Sequence, residues 1–333
     1  MAAIGSAVPT LVDVAKRLDP DGRIAVVAEL LSQTNAILED MPWLEGNLPT
    51  GHRTTVRTGL PTVAWRLLNQ GVTPSKSRTA QIDEACGMLE AWCEVDKKIA
   101  ELNGNVAAYR MSEAKAFIEA MNQEFASTLF YGTNAAPEEF VGLSARYSSS
   151  SAANGQNIVL SPNSTDTDMS SFWLIGWGEN TIHGIYPKGS KAGLEHRDLG
   201  LQVVEASAGM GGTRLEAYRD KFAWDCGIAL RDWRYVVRGA NVDISALVAK
   251  SSAADLYDMM IKATHRIPNL GMCRPVFYMN RTLFQMLDIQ GRDDVVSGGQ
   301  LSYENVAGKR IASFRGIPVK IVDALTQTET FIS

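Results

Sequence analysis

Between residues 46 and 82 the chain carries almost nothing from which to build a core of its own, and this narrows its possible folds more than any other feature. Pro49, Gly51, Gly59, Pro61, Gly71 and Pro74 punctuate the stretch, with β-branched Thr54, Thr55, Val56, Thr62 and Val63 between them. Val63, Trp65 and Leu67 alternate with Ala64 and Arg66, which predicts a strand. Asn69-Gln70-Gly71 predicts a turn, and residues 75–82 a second extended piece. The result is a long hairpin with few apolar residues. A lone two-stranded ribbon is marginal in water, so this one must lie against another surface.

Charge sharpens the point. Arg53, Arg57, Arg66, Lys76 and Arg78 put +5 on the ribbon, which has no Asp or Glu. The whole chain is −5, leaving −10 on the rest. Glu29, Glu39, Asp40 and Glu45 precede the ribbon; Asp83, Glu84, Glu90, Glu94 and Asp96 follow it. Three readings fit. The ribbon could bind nucleic-acid phosphates, with Trp65 stacking on bases. It could lie on an acidic patch of a second copy, which would set register and orientation. Or it could be a solvated basic loop. The second reading is favoured, because the acidic surface is encoded in the same chain.

The remaining segments read as an α+β fold. Residues 1–45 suggest an arm with two short helices, the second ended by Met41-Pro42. Residues 83–102 suggest a strand followed by a helix. Ala114, Phe117, Ile118, Met121, Phe125 and Leu129 recur at three- and four-residue steps, predicting a helix over 111–130 with Ser112 as N-cap and Gly132 as its stop. A polar loop over 148–170 precedes an apolar strand at 172–177, and glycine-rich connections follow to about Gly212. Phe222, Trp224, Cys226, Ile228 and Leu230 then alternate strictly, with Trp233, Tyr235 and Val237 continuing in a second strand; this predicts a half-buried antiparallel sheet. A helix at 253–265, a strand at 276–279, helical residues 282–287 and a strand at 317–322 complete the chain. Helices and strands do not alternate regularly, which argues for α+β over a doubly wound sheet.

Catalytic signatures are sparse. His196-Arg197-Asp198-Leu199 spells the start of a kinase catalytic loop, but Val203 stands where Asn is needed and no glycine-rich loop precedes it; a solvated turn is expected. His52, His183, His196 and His265 show no metal-binding spacing, and Cys86, Cys93, Cys226 and Cys273 form no CxxC pair, so buried or half-buried thiols are expected. Gly209-Met210-Gly211-Gly212 lacks the Lys-Ser/Thr of a phosphate loop and reads as a turn. No cofactor, metal or enzymatic activity is expected. No apolar run approaches the ~18 residues of a membrane span, and no basic segment marks a secretory signal, so an intracellular, membrane-free setting is expected.

Gly59-Leu60-Pro61 through Trp65-Arg66-Leu67-Leu68-Asn69-Gln70-Gly71 resembles the extended loop of tailed-bacteriophage major capsid proteins. Residues 35–43, 232–243, 259–283 (MMIKATHRIPNLGMCRPVFYMNRTL) and 316–325 resemble the same family, in its podovirus-type subgroup. The resemblance implies the Hong Kong 97-type fold. The arm would be residues 1–45 and the extended loop 46–82. A peripheral domain would comprise 83–147 and 200–245, with 111–130 as spine helix, and an axial domain 148–199 and 246–333. The strand pair at 213–244 precedes the axial-like helix, against the usual family order, which implies a rearranged strand order. The implied function is self-assembly through hexamers and pentamers into an icosahedral shell enclosing double-stranded DNA without reading its sequence. The implied setting is the virion capsid, assembled in the host bacterial cytoplasm. Scaffolding, portal and cement proteins are the implied partners; no long helical extension that could act as a built-in scaffold is seen. Arg57, Trp65, Arg66, Lys76 and Arg78 are the expected intersubunit residues. A soluble nucleic-acid-binding protein using the ribbon is the alternative, and an α+β enzyme a third.

Overall fold

The protein is described by a computed structural model covering residues 33–102, 105–162, 168–205, 214–250, 254–293, 301–306 and 309–332. Most of the expected arm, and the 209–212 turn, lie outside these residues.

Among the described residues, two β-sheets of very different size are formed. A twelve-stranded sheet runs through its body, whereas β2 (Gly51–Gly59) and β3 (Arg78–Ala85) pair only with each other. The central strand of the body is β6 (Met169–Trp177), buried at every position. Its period of two feeds two cores at once: Phe172 and Leu174 face one apolar cluster, Trp173, Ile175 and Trp177 the other. A strand covered on both faces reads as a continuous apolar run, which is why 172–177 is legible in the sequence. Antiparallel neighbours flank it: β10 (Val236–Asp243) on one side and β11 (Arg274–Met279) on the other. Beyond β11 the parallel strand β14 (Ile317–Ile321) and the hairpin partners β13 (Lys309–Phe314) and β12 (Leu301–Val306) complete that edge. Helices 256–266 and 281–293 cover this end.

The other end is built on one long strand. β9 (Arg214–Leu230) has 17 residues, about 55 Å of extended chain. Its first part pairs with β4 (Gly87–Asp96) and β8 (Glu195–Glu205); its last residues, Gly227–Leu230, enter the body beside β7 (Ile182–Tyr186). A helix, α1 (Val106–Tyr131), packs across β4 and β9 and buries Tyr109, Met121 and Phe125. At 26 residues it is a rod of about 39 Å. Gly132 ends it, and a side chain there would meet the Phe140 carbonyl at 2.3 Å.

The sequence expectation needs correction at several points. The long helix starts at Val106, capped by the Asn105 side chain, which accepts from the Ala108 N–H; Ser112 lies inside it, and Ile118 points outward at 44% exposure. The alternating residues Val63, Trp65 and Leu67 are in no strand; the ribbon strands lie on either side of them. Trp233 and Tyr235 sit in a 3-10 turn, after which β10 pairs with β6 and β5 (Ile158–Leu160) rather than with β9. The stretch taken as glycine-rich connections contains β7 and β8. His196–Leu199 belongs to β8 and is not a turn. The helix 253–265 is realised as Leu256–Arg266, and 282–287 extends to Arg281–Asp293. All four cysteines are free; Cys93 and Cys226 are buried, Cys86 and Cys273 half-buried.

Candidate functional site

The ribbon leaves the body as a bare two-stranded antiparallel ladder from Gly51↔Ala85 to Gly59↔Arg78, with one irregularity near its far end. Beyond it, Leu60 to Ser77 form the tip without regular structure. Two bonds shape the tip: the Ser75 hydroxyl donates to the Thr62 carbonyl at 2.8 Å, and the Gln70 N–H to the Leu67 carbonyl at 3.2 Å. Asn69 takes φ 65°, a left-handed conformation that Asn tolerates, so the expected turn is present. Every residue of the tip is exposed. Trp65 is fully bare, and Leu60, Val63, Leu67 and Leu68 are each at least 70% exposed. Five large apolar side chains on one projection form the kind of patch that marks an interaction surface.

The expected interface residues do share this projection: Arg57 and Arg78 on the strands, Trp65, Arg66 and Lys76 in the tip. All five are exposed, and among the described residues none of the four cations is paired with a carboxylate. Arg53 differs. It makes a two-pronged pair with Asp83 across the ladder at 2.6 Å, and the Asn47 side chain grips its backbone N–H and carbonyl. Arg53 thus stiffens the ribbon and holds the Asp83 carboxyl below the usual range through that bond.

At its root the ribbon is fastened to the body. Glu84, nearly buried, receives both arms of Arg146 at 2.6 Å. The His52 ring lies edge-on to His183, which is 1% exposed, at 6.0 Å between centroids. Burial lowers both histidines, His183 to about 4, and the Arg231 cation adds to the effect. Both imidazoles are therefore neutral near pH 7.

The acidic flanks turn out to be largely committed within the chain. Glu90 pairs with Lys221 at 2.6 Å and Glu94 with Arg219 at 2.8 Å, both beside Trp92, over whose ring the two cations sit. Asp96 caps a helical turn, and Asp40 takes Lys320 and the Tyr278 hydroxyl. Glu45 accepts from the Gly189 N–H. Most of the described flanking carboxylates are thus already engaged within the chain. Carboxylates without a described partner next to the ribbon root include Asp225 and also Glu124, Glu138 and Glu139, which line a cleft together with Leu89, Phe125 and Phe140.

Two polar constellations escaped sequence reasoning. Arg238 on β10 is buried and donates to Glu329 at 2.7 Å, the Tyr147 carbonyl at 2.9 Å and the Ser171 hydroxyl at 3.1 Å; Tyr131 and Ser171 also donate to Glu329. Asn241 holds the Ile332 backbone through both its amide groups. Together they bind segment 326–332 to the central sheet. The only signal was a lone Arg in the apolar run 235–240, which demands a buried partner. The kinase-like His196 and Asp198 instead join Arg110 of α1 to Asp220 of β9, with the His196 ring stacked on Phe222 at 4.8 Å. This is a packing role.

A fold with an exposed apolar tip, a long helix over a narrow sheet and a second helical end finds its counterpart among phage shells. A family model described as major capsid protein GP7 matches residues 19–333. A chain of the bacteriophage Epsilon15 structure, solved by electron cryomicroscopy, superposes with a TM-score of 0.81 at 32% identity, covering 100% of this chain and 99% of that one. The bacteriophage JBD30 capsid gives 0.46 at 8% identity over 92% and 99%, and the holo-SrpI encapsulin complex of Synechococcus elongatus PCC 7942 gives 0.43 at 12% over 69% and 95%. A search of curated protein sequences returned no match. The α+β architecture is the Hong Kong 97-type fold, and the chain belongs to the major capsid protein GP7 family, as a shell-forming structural subunit of a phage virion.

Proposed function

We propose that this subunit closes through hexamers and pentamers into an icosahedral shell around double-stranded DNA, and that its ribbon joins each copy to the next. One observation carries the proposal: the ribbon is a sheet of its own, and its tip exposes Trp65 fully and its apolar neighbours largely. In this reading Arg57, Arg66, Lys76 and Arg78 face carboxylates of an adjacent subunit, while Trp65 and Leu67 bury their apolar surface there. Each exposed ion pair contributes only about 0–1 kcal/mol, so the apolar contact supplies affinity and the charges set orientation and rate. DNA is enclosed without sequence readout, and no catalytic step is assigned. The division into arm (1–45), extended loop (46–82), peripheral part (83–147, 200–245) and axial part (148–199, 246–333) belongs to the same proposal. The core shared by α1, β4 and β9 supports its peripheral part, whereas β10 leans toward the axial part by its pairing with β6. Assembly takes place in the bacterial cytoplasm with a scaffolding protein and a portal protein, and a cement protein on the finished surface.

The test is a double reversal, Arg66→Glu with Arg78→Glu. Circular dichroism and the melting temperature of the isolated subunit should match the parent, while electron microscopy shows few or no shells. Parent assembly should also slow as salt rises, since exposed charges are screened beyond about 8–10 Å. A double variant that assembles at the parental rate, with parental salt dependence, removes the electrostatic part of the proposal.

A further inference from the structure

Where the ribbon meets the body, two histidines face each other with their polar atoms unused. His52 is on β2 and His183 on β7, with ring centroids 6.0 Å apart and planes at 79°. His183 is buried and His52 half-buried. Among the described residues, none of the four ring nitrogens makes a hydrogen bond, nor does the buried Thr54 hydroxyl two positions along β2. Buried polar atoms left unpaired cost free energy, and several of them at one contact call for a reason beyond packing. The charges around the rings supply one. Arg231, just after β9, donates to the Glu179 carbonyl at 3.1 Å and the Asn180 side chain at 3.3 Å, and its cation opposes a proton on either ring. Glu84, opposite His52 in the ladder, favours a proton on His52, but both its oxygens are taken by Arg146. Near His183 the Gly178 carbonyl is the smallest influence. A second N–H on either ring would therefore add a cation with no free anion to receive it, and the ring would have to reach water.

The build of the root lets the ring do so. β2 and β3 pair only with each other, and the Arg53–Asp83 bonds tie them together, so the ribbon can turn as one piece. Its junctions with the body are the short stretches 46–50 and 86–87, and a few residues at element ends suffice as a hinge. The Glu84–Arg146 bond stays as a tether. We propose that the His52–His183 contact is a proton-operated clasp: neutral rings hold the ribbon at one angle to the body, and protonation frees it to pivot about its root. The clasp concerns how the ribbon is aimed; only its consequence, that a freed ribbon no longer presents its tip correctly for assembly, rests on the proposed joining role. Burial, more than Arg231, holds His183 at about 4 against the ordinary 6.5. The freed state therefore binds the proton more tightly. The ribbon is clasped above pH 6.5, and the ratio of freed to clasped ribbon rises as pH falls toward 4, by up to about 300-fold through His183 alone.

The test reads the ribbon's angle in the unassembled full-length subunit. Spin labels carried on unnatural side chains at Gln70 in the tip and Arg266 in the body report the distance between them by pulsed electron spin resonance. At pH 7.5 one narrow distance is expected. As pH falls from 6.5 toward 4 a second, broader population should grow reversibly, while hydrogen exchange in β6 stays slow. His52→Gln with His183→Gln should keep the single narrow distance throughout. Arg231→Met removes the opposing cation and should move the midpoint up by about half a pH unit or more; it decides the matter even where the double histidine variant does not fold. A parent distance that stays narrow down to pH 4 overturns the clasp. So does equal broadening in the double variant, an unmoved midpoint in Arg231→Met, or opening of β6 over the same window. Because no second copy is present, these results stand or fall independently of whether the ribbon joins subunits.

Discussion

The ribbon tip and the central strand both carry a period of two in their sequence, yet they end in opposite environments. In β6 the alternation sends Phe172 and Leu174 to one core and Trp173, Ile175 and Trp177 to another, and every residue is buried. In the ribbon tip Val63, Trp65 and Leu67 alternate just as regularly, and all are bare. The difference lies in what surrounds each segment. β6 has strands on both sides and covered faces; the tip has proline and glycine neighbours and nothing above or below it. Apolar pattern states what a segment will bury, and the rest of the chain decides whether burial happens within the molecule or only in an assembly.

That contrast can be broken first where burial is most complete. Arg238→Ala leaves Glu329 buried without its cation, and removing one partner of a buried pair costs about 3–5 kcal/mol. Chemical denaturation should show a large drop in midpoint, and released segment 326–332 should become sensitive to protease. Removing both charges together, by Arg238→Met with Glu329→Leu, should recover part of the loss. If Arg238→Ala unfolds at the parental midpoint, the central sheet does not depend on this network.

Trp224→Ala probes the seam between the narrow sheet and α1. Its ring stacks on Phe125 at 4.6 Å and touches Trp43 at 5.7 Å, so truncation should cost about 3 kcal/mol, the lower end of the range for a large aromatic because the ring is half-buried. Soluble, normally melting Trp224→Ala protein would show that α1 is held by other contacts.

The ribbon root should respond to acid. The fold keeps His183 neutral, down to about 4 from the usual 6.5, through burial first, then Arg231 and His52. Glu84 opposes this at His52 but is already engaged by Arg146. An unfolded chain binds the proton more readily, so the stability linked to His183 is fully present above pH 6.5 and is lost as pH falls from 6.5 toward 4. The loss is roughly 3 kcal/mol at the lower limit. Hydrogen exchange over this window should accelerate at Gly51–Thr54 and Asp83–Ala85 before the central strands, and His183→Gln should flatten the dependence. Equal acceleration in the ribbon root and in β6 would contradict a local effect.

The smallest effect on the isolated subunit should come from the most conspicuous side chain. Trp65→Ala removes a ring that is fully exposed, so denaturation should shift by less than about 0.5 kcal/mol. Shell formation, followed by light scattering, should nonetheless slow markedly. A fall in subunit stability comparable to that of Trp224→Ala would place the tip against its own body.

Where sequence reasoning succeeded, the signal was local. The strand at 172–177, the strict alternation at 222–230, the turn at Asn69 and the stop at Gly132 each depend on neighbours a few residues away. It failed where distant segments choose among equals. Ser112 is a fair N-cap, but Asn105 begins the helix because residues from Val106 onward can bury Tyr109 against the narrow sheet. Trp233 and Tyr235 continue a strand pattern, but Tyr147 donates to the Trp233 carbonyl and a 3-10 turn forms there. The five expected interface residues do share one projection, and their resemblance to a phage extended loop was readable from Gly59 to Gly71. The cleft at the ribbon root was not, because its walls come from residues near 88, 125 and 139, which only folding brings together.

The amino-acid sequence by itself determined that residues 46–82 are basic, free of acid and poor in core-forming side chains, that a long helix and an alternating strand would form the frame, and which family this chain resembles. The first two follow from composition and short-range period, which act before any tertiary contact exists; the third rests on the resemblance carried by stretches such as Gly59 to Gly71. The tertiary structure alone decided which carboxylates are spent inside the molecule and which remain free, that β10 joins β6 instead of β9, and that Glu329 closes over Arg238. Charge pairing and strand partnership are choices among many chemically equivalent groups far apart in the chain, and only packing makes one of them lower in free energy than the rest.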